Sequence, residues 1–402
     1  MADTTHGLAA RLRATRPISF IAEDHRFVLL GTSALAACGL ALEAAPARSM
    51  SFLAQAPALA WILAAIMIAW IAVSLAIGVY KVGHWKSYSK TSPFVRPGAR
   101  RIQRIGSYIV WLAVALVAFD RLVLGGIDLV LVSISLPGVP VGAIPAAIYM
   151  VSRSSGIYLS GIRNTILLAV FGTILAFFLA LLLVFLRIQK IDRSDNYLVR
   201  FFKVVGNKIA SLYSTVIRGT PMMVQGMIIY YGGFNIVRAV TGLTTAEIQQ
   251  VYSFFTAGLL TVTICSAAYI AEVLRASIEA IDAGQMEAAR SLGLTQWQAM
   301  SMIVFPQGVK NAVPALSNEL IINIKDSSVL SVIGVYDLMY ATNAVVGIYL
   351  RQVEADLVAA LVYLVLTLLA GKILDIVMGR FGMSSHHATA TPVAVTEMEM
   401  GE

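Results

Sequence analysis

The sequence predicts an all-α integral membrane protein with about eight transmembrane helices. Three observations carry that fold class. Mean hydropathy is +0.79 with only 13% charged residues, too apolar for a water-soluble chain of 402 residues. Apolar runs of about 20 residues, the length that crosses a bilayer as a helix, recur along the chain. Lys and Arg gather in alternate loops: with the amino terminus inside, 22 of the 30 fall on the cytoplasmic side, six outside, and Arg218 and Lys325 within spans. That asymmetry follows the positive-inside rule. It accounts for a pI near 9.5 without nucleic acid as a partner.

In chain order, residues 1–26 carry Arg11, Arg13, Arg16 and Arg26, and an apolar stretch follows over 27–42. Its small-residue end, Ala44, Ala45 and Ala47, partly imitates a secretory signal. Glu23 and Asp24 dilute the charged lead, which favours an uncleaved first span. The second span covers 58–80, and the loop 81–104 holds seven basic residues and no acid, suited to anionic lipid headgroups. The third span covers 105–124, with Asp120 and Arg121 near its exit, placed to reach the headgroups or to pair. Pro137, Pro140 and Pro145 with Gly138 and Gly142 break the apolar stretch 127–151. It reads as an interfacial or re-entrant connection outside the cytoplasm, because a clean helix does not tolerate such breakers. Further spans are expected over 165–186, 209–231, 254–274, 313–339 and 357–377. A tail with His386 and His387 ends the chain inside, on the same side as the amino terminus.

Between the sixth and seventh spans lies a polar interruption, EAARSLGLTQWQAMSMIVFP. Met286, Ala289 and Leu292 share one helical face, Gly293 stands where a left-handed cap would end the helix, and Trp297 opens a second short amphipathic piece. A surface helix lying on the headgroups would satisfy that periodicity. The spacing goes further. Glu287, Ala288, Ala289, Gly293, Ile303, Phe305 and Pro306 resemble the EAA signature of bacterial ABC importer permeases, with Phe305 where Leu is more usual.

Polar groups inside spans mark the other candidate site, since each costs a few kcal/mol unless paired or hydrated. Arg218, Gly219, Thr220 and Pro221 should kink a helix and free backbone carbonyls, with Arg218 in need of a carboxylate, a carbonyl or water, an ion pair with Glu272 or Glu319 being the structural reading. Glu272 and Arg275, three apart, can pair on one face. Lys325 and Asp326 are adjacent, as a buried pair or a helix break, or with the carboxylate free for a substrate ammonium. These segments resemble the polar-amino-acid branch of the same family. Ile217 to Pro221 is similar to its FRGTP motif, with Ile217 for Phe. Ala268 to Arg275 is similar to its SAYIAE motif, although Ala276 and Ser277 replace a glycine pair. Ser160 to Thr165, Pro314, Asn318, Glu319, Ile324 to Ser328 and Ser331 to Gly334 continue the match.

Residues 158–380 therefore resemble a five-helix ABC importer (MetI-like) permease core, with the coupling loop near 284–306. Residues 1–157 resemble, weakly, the three-helix N-terminal extension of longer amino-acid permeases, of the general and the glutamate/glutamine/aspartate/asparagine types, and 381–402 form the tail. The resemblance implies a transport subunit of the bacterial inner membrane, not an enzyme. Its implied partners are an ATP-binding-cassette ATPase dimer docked on the coupling helix, a second permease, identical or related, and an extracytoplasmic amino-acid-binding protein. ATP and Mg would bind the ATPase alone: this chain has no phosphate loop, Gly371-Lys372 lacking an upstream Gly at the right distance. Arg218 would meet a substrate carboxylate and Glu272, Glu319 or Asp326 its ammonium. An ion-coupled carrier using those acids as relays is the competing class, but no inverted repeat is visible. Enzyme motifs such as HExxH and GxSxG are absent, and Cys38 and Cys265, both in apolar segments, suggest neither a disulfide framework nor a metal cluster.

Overall fold

The computed structural model describes residues 25–84, 86–189, 191 and 195–380. The expectations placed on Arg11, Arg13, Arg16, Lys190, Arg193, His386 and His387 lie outside the described residues. No strand occurs among the described residues, and the chain divides into two compact units, Met1–Ile148 and Tyr149–Glu402.

The first unit packs three helices, α1 (His25–Glu43), α2 (Pro57–Gly83) and α3 (Pro97–Ser135). Ala36, Met67, Val110, Val114 and Val117 form its core with Leu53 and Leu63. Gly39 lets the helices close: a Cβ there would sit 2.6 Å from Met67 Sδ. Trp111 Nε1 donates to Thr32 Oγ1 at 3.1 Å, and Ser33 Oγ to Ser74 Oγ at 2.7 Å, so polar groups on these apolar helices find each other. Asp120 is fully buried where α3 takes a π-helical turn; it accepts from Ser51 Oγ at 2.6 Å and Leu53 N at 3.2 Å, with Arg121 Nη1 at 3.7 Å. Of the two fates open to Asp120 and Arg121, the structure shows pairing.

The region 127–151 is more helical than its prolines suggested. The helix α3 runs on to Ser135, and α4 (Ala143–Arg153) resumes beyond a short irregular stretch. Pro137 and Pro140 occupy that stretch, and Pro145 falls in the first turn of α4, where a missing N–H leaves no bond unmade.

In the second unit, α5 (Ser155–Ile188) is followed by α6 (Tyr197–Arg218), α7 (222–241), α8 (Thr245–Val251) and α9 (Phe254–Glu279). Then come α10 (Ala283–Ser291), the long α11 (Gln296–Ile333), α12 (Leu338–Tyr349) and α13 (Gln352–Arg380). The central pair is α5 on α9, faced with Ala169, Gly172, Ala176 and Ala180 on one helix and Ala267, Ala268 and Ala271 on the other. A Cβ at Gly172 would stand 2.5 Å from Val262 Cγ1. Small residues allow such backbone approach, which drives helix association where no hydrophobic effect operates.

Among the described residues, five helices are long and apolar enough to cross a membrane, or up to six if the bent pair Gln296–Ile333 and Leu338–Tyr349 counts as one span. The difference from about eight has local causes. The apolar part of α1, Val28–Glu43, is short. The expected span 209–231 is two helices, because α6 stops at Arg218 and α7 starts only at Met222. The expected span 313–339 begins far earlier: α11 already takes in Ile303, Phe305 and Pro306, and it ends in a 3-10 stretch, Ser327–Ile333, closed by Gly334 at φ +94°.

Candidate functional site

The break between α6 and α7 is built by Gly219, Thr220 and Pro221. Pro221 has no N–H to continue the ladder and holds φ −65°, ψ 135° as the N-cap of α7. The carbonyls so freed need donors. Gln225, one turn into α7, supplies them: its Nε2 lies 2.7 Å from Ile217 O, 3.0 Å from Thr220 O and 2.6 Å from Thr220 Oγ1. Its Oε1 accepts from Cys265 Sγ at 2.7 Å, which ties the break to α9. Beside it, buried Asn323 of α11 donates to Thr173 Oγ1 at 2.8 Å and accepts from Ser266 Oγ at 2.7 Å, joining α5, α9 and α11.

On α9, Cys265, Tyr269 and Glu272 follow at spacings of four and three and so form one stripe. Two cavities open along it. The first, of about 270 Å³, is lined by Gln225, Cys265, Ser266, Tyr269, Glu319 and Asp326. The second, of about 500 Å³, is lined by Arg187, Ser214, Arg218, Gly219, Tyr269 and Glu272. The first carries carboxylates and the second guanidinium groups. Tyr269 lines both.

Glu272 is the hub of the second cavity. Its Oε2 receives Arg187 Nη1 at 2.7 Å and faces Arg218 Nη1 at 3.8 Å, while its Oε1 pairs with Arg275, which also reaches Glu279. The Arg218 guanidinium lies 5.5 Å from the Tyr269 ring centroid, within cation–π range. Of the partners expected for Arg218, the structure selects Glu272 and not Glu319. The expected Glu272–Arg275 pair is present. Lys325 and Asp326 make no direct ion pair with each other; instead α-helix gives way to 3-10 helix after Asp326. Arg187, Gln225, Ser266, Tyr269 and Asn323 had not been singled out. Tyr269 stands inside the SAYIAE-like stretch, polar side chains on otherwise apolar helices were the signal for Gln225, Ser266 and Asn323, and Arg187 read as one basic residue among several.

The polar segment before α11 is a helix–cap–helix. Asp282 caps α10, its Oδ1 accepting from Gly284 N at 2.6 Å. Gly293 adopts φ +87°, and Leu294 N donates to Ala289 O at 3.3 Å while Gly293 N donates to Arg290 O at 3.0 Å, a Schellman closure. Thr295 and Gln298 form a capping box that starts α11. Glu287 and Ala288 are exposed and Ala289 is buried. Leu292 (85%) and Trp297 (56%) present apolar surface to the outside. The loop is shorter than the motif: Ile303 and Pro306 lie within α11, where the π-helical turn Met300–Val304 carries Phe305 N to Met300 O just before the proline.

Comparison with known proteins places this geometry in a class. The family described as "Binding-protein-dependent transport system inner membrane component" matches residues 197–382. The arginine transport system permease protein ArtQ of Bacillus subtilis (strain 168) is 38% identical over 161 residues, covering 40% of this chain and 68% of that protein. The glutamine transport system permease protein GlnP of Escherichia coli (strain K12) is 35% identical over 173 residues, 42% of this chain and 73% of that protein. A putative GlnP of Rickettsia typhi is 32% identical over 219 residues, 54% of this chain and 90% of that protein. Among solved structures, "Crystal structure of an amino acid ABC transporter with histidines" is 33% identical with a TM-score of 0.48, covering 57% of this chain and 96% of that one.

The chain belongs to the family of binding-protein-dependent transport system inner membrane components. Its curated relatives are amino-acid transport permeases, so the resemblance to the polar-amino-acid branch of ABC importer permeases holds.

Proposed function

We propose that this chain is a transmembrane subunit of an ABC importer that moves polar L-amino acids into the cytoplasm, driven by ATP hydrolysis on a separate ATPase dimer. The observation that carries the reading is an exposed, capped helical segment joined, through α9 and α11, to one cavity lined by carboxylates and another lined by two guanidinium groups and Glu272. The relatives named for arginine and glutamine support a polar amino acid as cargo. Chemistry supports it too: a zwitterion carries an ammonium that suits Glu319 and Asp326 in one cavity and a carboxylate that suits Arg218 in the other. The exposed face of α10, with Glu287, Ala288, Leu292 and the Gly293 cap, suits the groove of an ATPase. A second permease and an extracytoplasmic binding protein complete the assembly. In this arrangement α10 faces the cytoplasm, as the basic-residue bias of the sequence expects.

Purification from the native membrane in mild detergent tests the reading. The intact chain should bring down an ATP-binding-cassette subunit, and a Glu287→Lys, Gly293→Asp variant that still reaches the membrane should lose it. An intact chain that arrives with no ATPase would move the reading to an ion-coupled carrier.

A further inference from the structure

The two cavities have one lining residue in common, Tyr269, and the break residues 217–220 also stand between them. Tyr269 lies four residues after Cys265 and three before Glu272 on one face of α9, so about 6 Å of helix separates it from the first and about 4.5 Å from the second. On its far side from the coupling segment is the carboxylate-lined cavity of about 270 Å³. On its near side is the arginine-lined cavity of about 500 Å³. The near cavity has features of a ligand site in its own right. Ser214 Oγ is buried there with no hydrogen-bond partner, and the residue is only 5% exposed. Ser211 and Thr215 add two more hydroxyls, and three guanidinium groups share the carboxylates of Glu272 and Glu279. An orphaned donor beside excess positive charge suits a carboxylate.

We propose that the arginine-lined cavity is a second station for the substrate, binding its carboxylate, and that Tyr269 is the gate between the stations. Arg218 holds the gate shut by facing the Tyr269 ring and the Glu272 carboxylate at once. A carboxylate entering the near cavity competes with Glu272 for Arg218, loosens the ring and clears the way. The inference rests on the amino-acid-permease reading, yet the gate itself can be probed without any amino acid.

The probe is Cys265, a buried free thiol lining the far cavity. In the assembled transporter carrying Cys38→Ala, Cys265 becomes the single cysteine of this chain. A small charged methanethiosulfonate added on the coupling-segment side should label it slowly. Tyr269→Ala should speed labelling about tenfold or more, equivalent to removing roughly 1.4 kcal/mol of barrier. Tyr269→Phe keeps the ring over Arg218 and should label at the parental rate. Proteoliposomes loaded with radiolabelled arginine or glutamine should leak without ATP when Tyr269→Ala is present. Should Tyr269→Ala fail to assemble, Tyr269→Leu, which keeps bulk and loses the aromatic face, should give an intermediate labelling rate. Equal labelling in all the variants that assemble would overturn the gate. Faster labelling with no leak of either amino acid would keep the gate and overturn the second station for these substrates.

Discussion

At the scale of single residues, many polar groups gather where apolar helices are interrupted, and most of those at the α6–α7 break have an identifiable partner, Ser214 being the exception. Glu272 is the most connected. Glu272→Gln removes the charge that three arginines share, and with these groups partly exposed the loss is about 1 to 2 kcal/mol. It should appear as a lower thermal-unfolding midpoint of the detergent-solubilised protein, and Arg218→Ala should lower it less. A smaller effect belongs to Glu247, exposed on α8. The Thr244 hydroxyl, and after it the Thr244 backbone N–H, bond its carboxylate and hold it below the ordinary carboxyl range. A depressed carboxyl stabilises the folded form fully above the unfolded value, 4.5, and that contribution is lost as pH falls through the folded one. Amide exchange in α8, corrected for its intrinsic pH dependence, should therefore quicken on acidification. Glu247→Gln should remove that pH dependence.

At the scale of elements, what the sequence disclosed and what it concealed divide by distance along the chain. The Gly293 terminator and the Pro221 break are local, set by a glycine at positive φ and a proline without an N–H, and each was readable from a few residues. The start of α11 was not. Pro306 reads as a loop residue until a π-helical turn is seen to accommodate it. The prolines near 140 misled in the same direction. The Arg187–Glu272 bond spans 85 residues of sequence, and the sharing of Tyr269 between two cavities depends on how α6, α9 and α11 pack. No spacing rule reaches that far. Gly308 belongs here as well: a Cβ there would stand 2.5 Å from Ile278 Cγ1 and 2.9 Å from its Cα. Gly308→Ala should force α9 and α11 apart and destabilise by about 1 to 3 kcal/mol. Gly293→Ala strains a left-handed residue by about 1 to 2 kcal/mol and should weaken ATPase retention more than it lowers the melting point.

At the scale of the whole molecule, each compact unit has its own hydrophobic core. The family model matches residues 197–382, all within the second unit, and 219 residues of this chain cover 90% of the Rickettsia typhi relative. We expect a chain beginning at Tyr149 to insert, to stay monodisperse in detergent and to retain the ATPase subunit. Loss of insertion would make the first unit part of the folding core.

The course of α11 has a mechanical consequence. From Pro306 to Asp326 it runs for about 30 Å, at 1.5 Å per residue, and lies against α5 and α9 for much of that distance. Pro314, inside that run, leaves one backbone hydrogen bond unmade and softens the helix there. Tilted at its foot, it swings at its head, and the head carries Glu319, Asn323 and Asp326. The π-helical turn at Met300–Val304 is the compliant joint at the foot. On the proposed reading, movement of the coupling segment reaches Glu319, Asn323 and Asp326 through the backbone of α11 itself, hinged at Met300–Val304 and softened at Pro314.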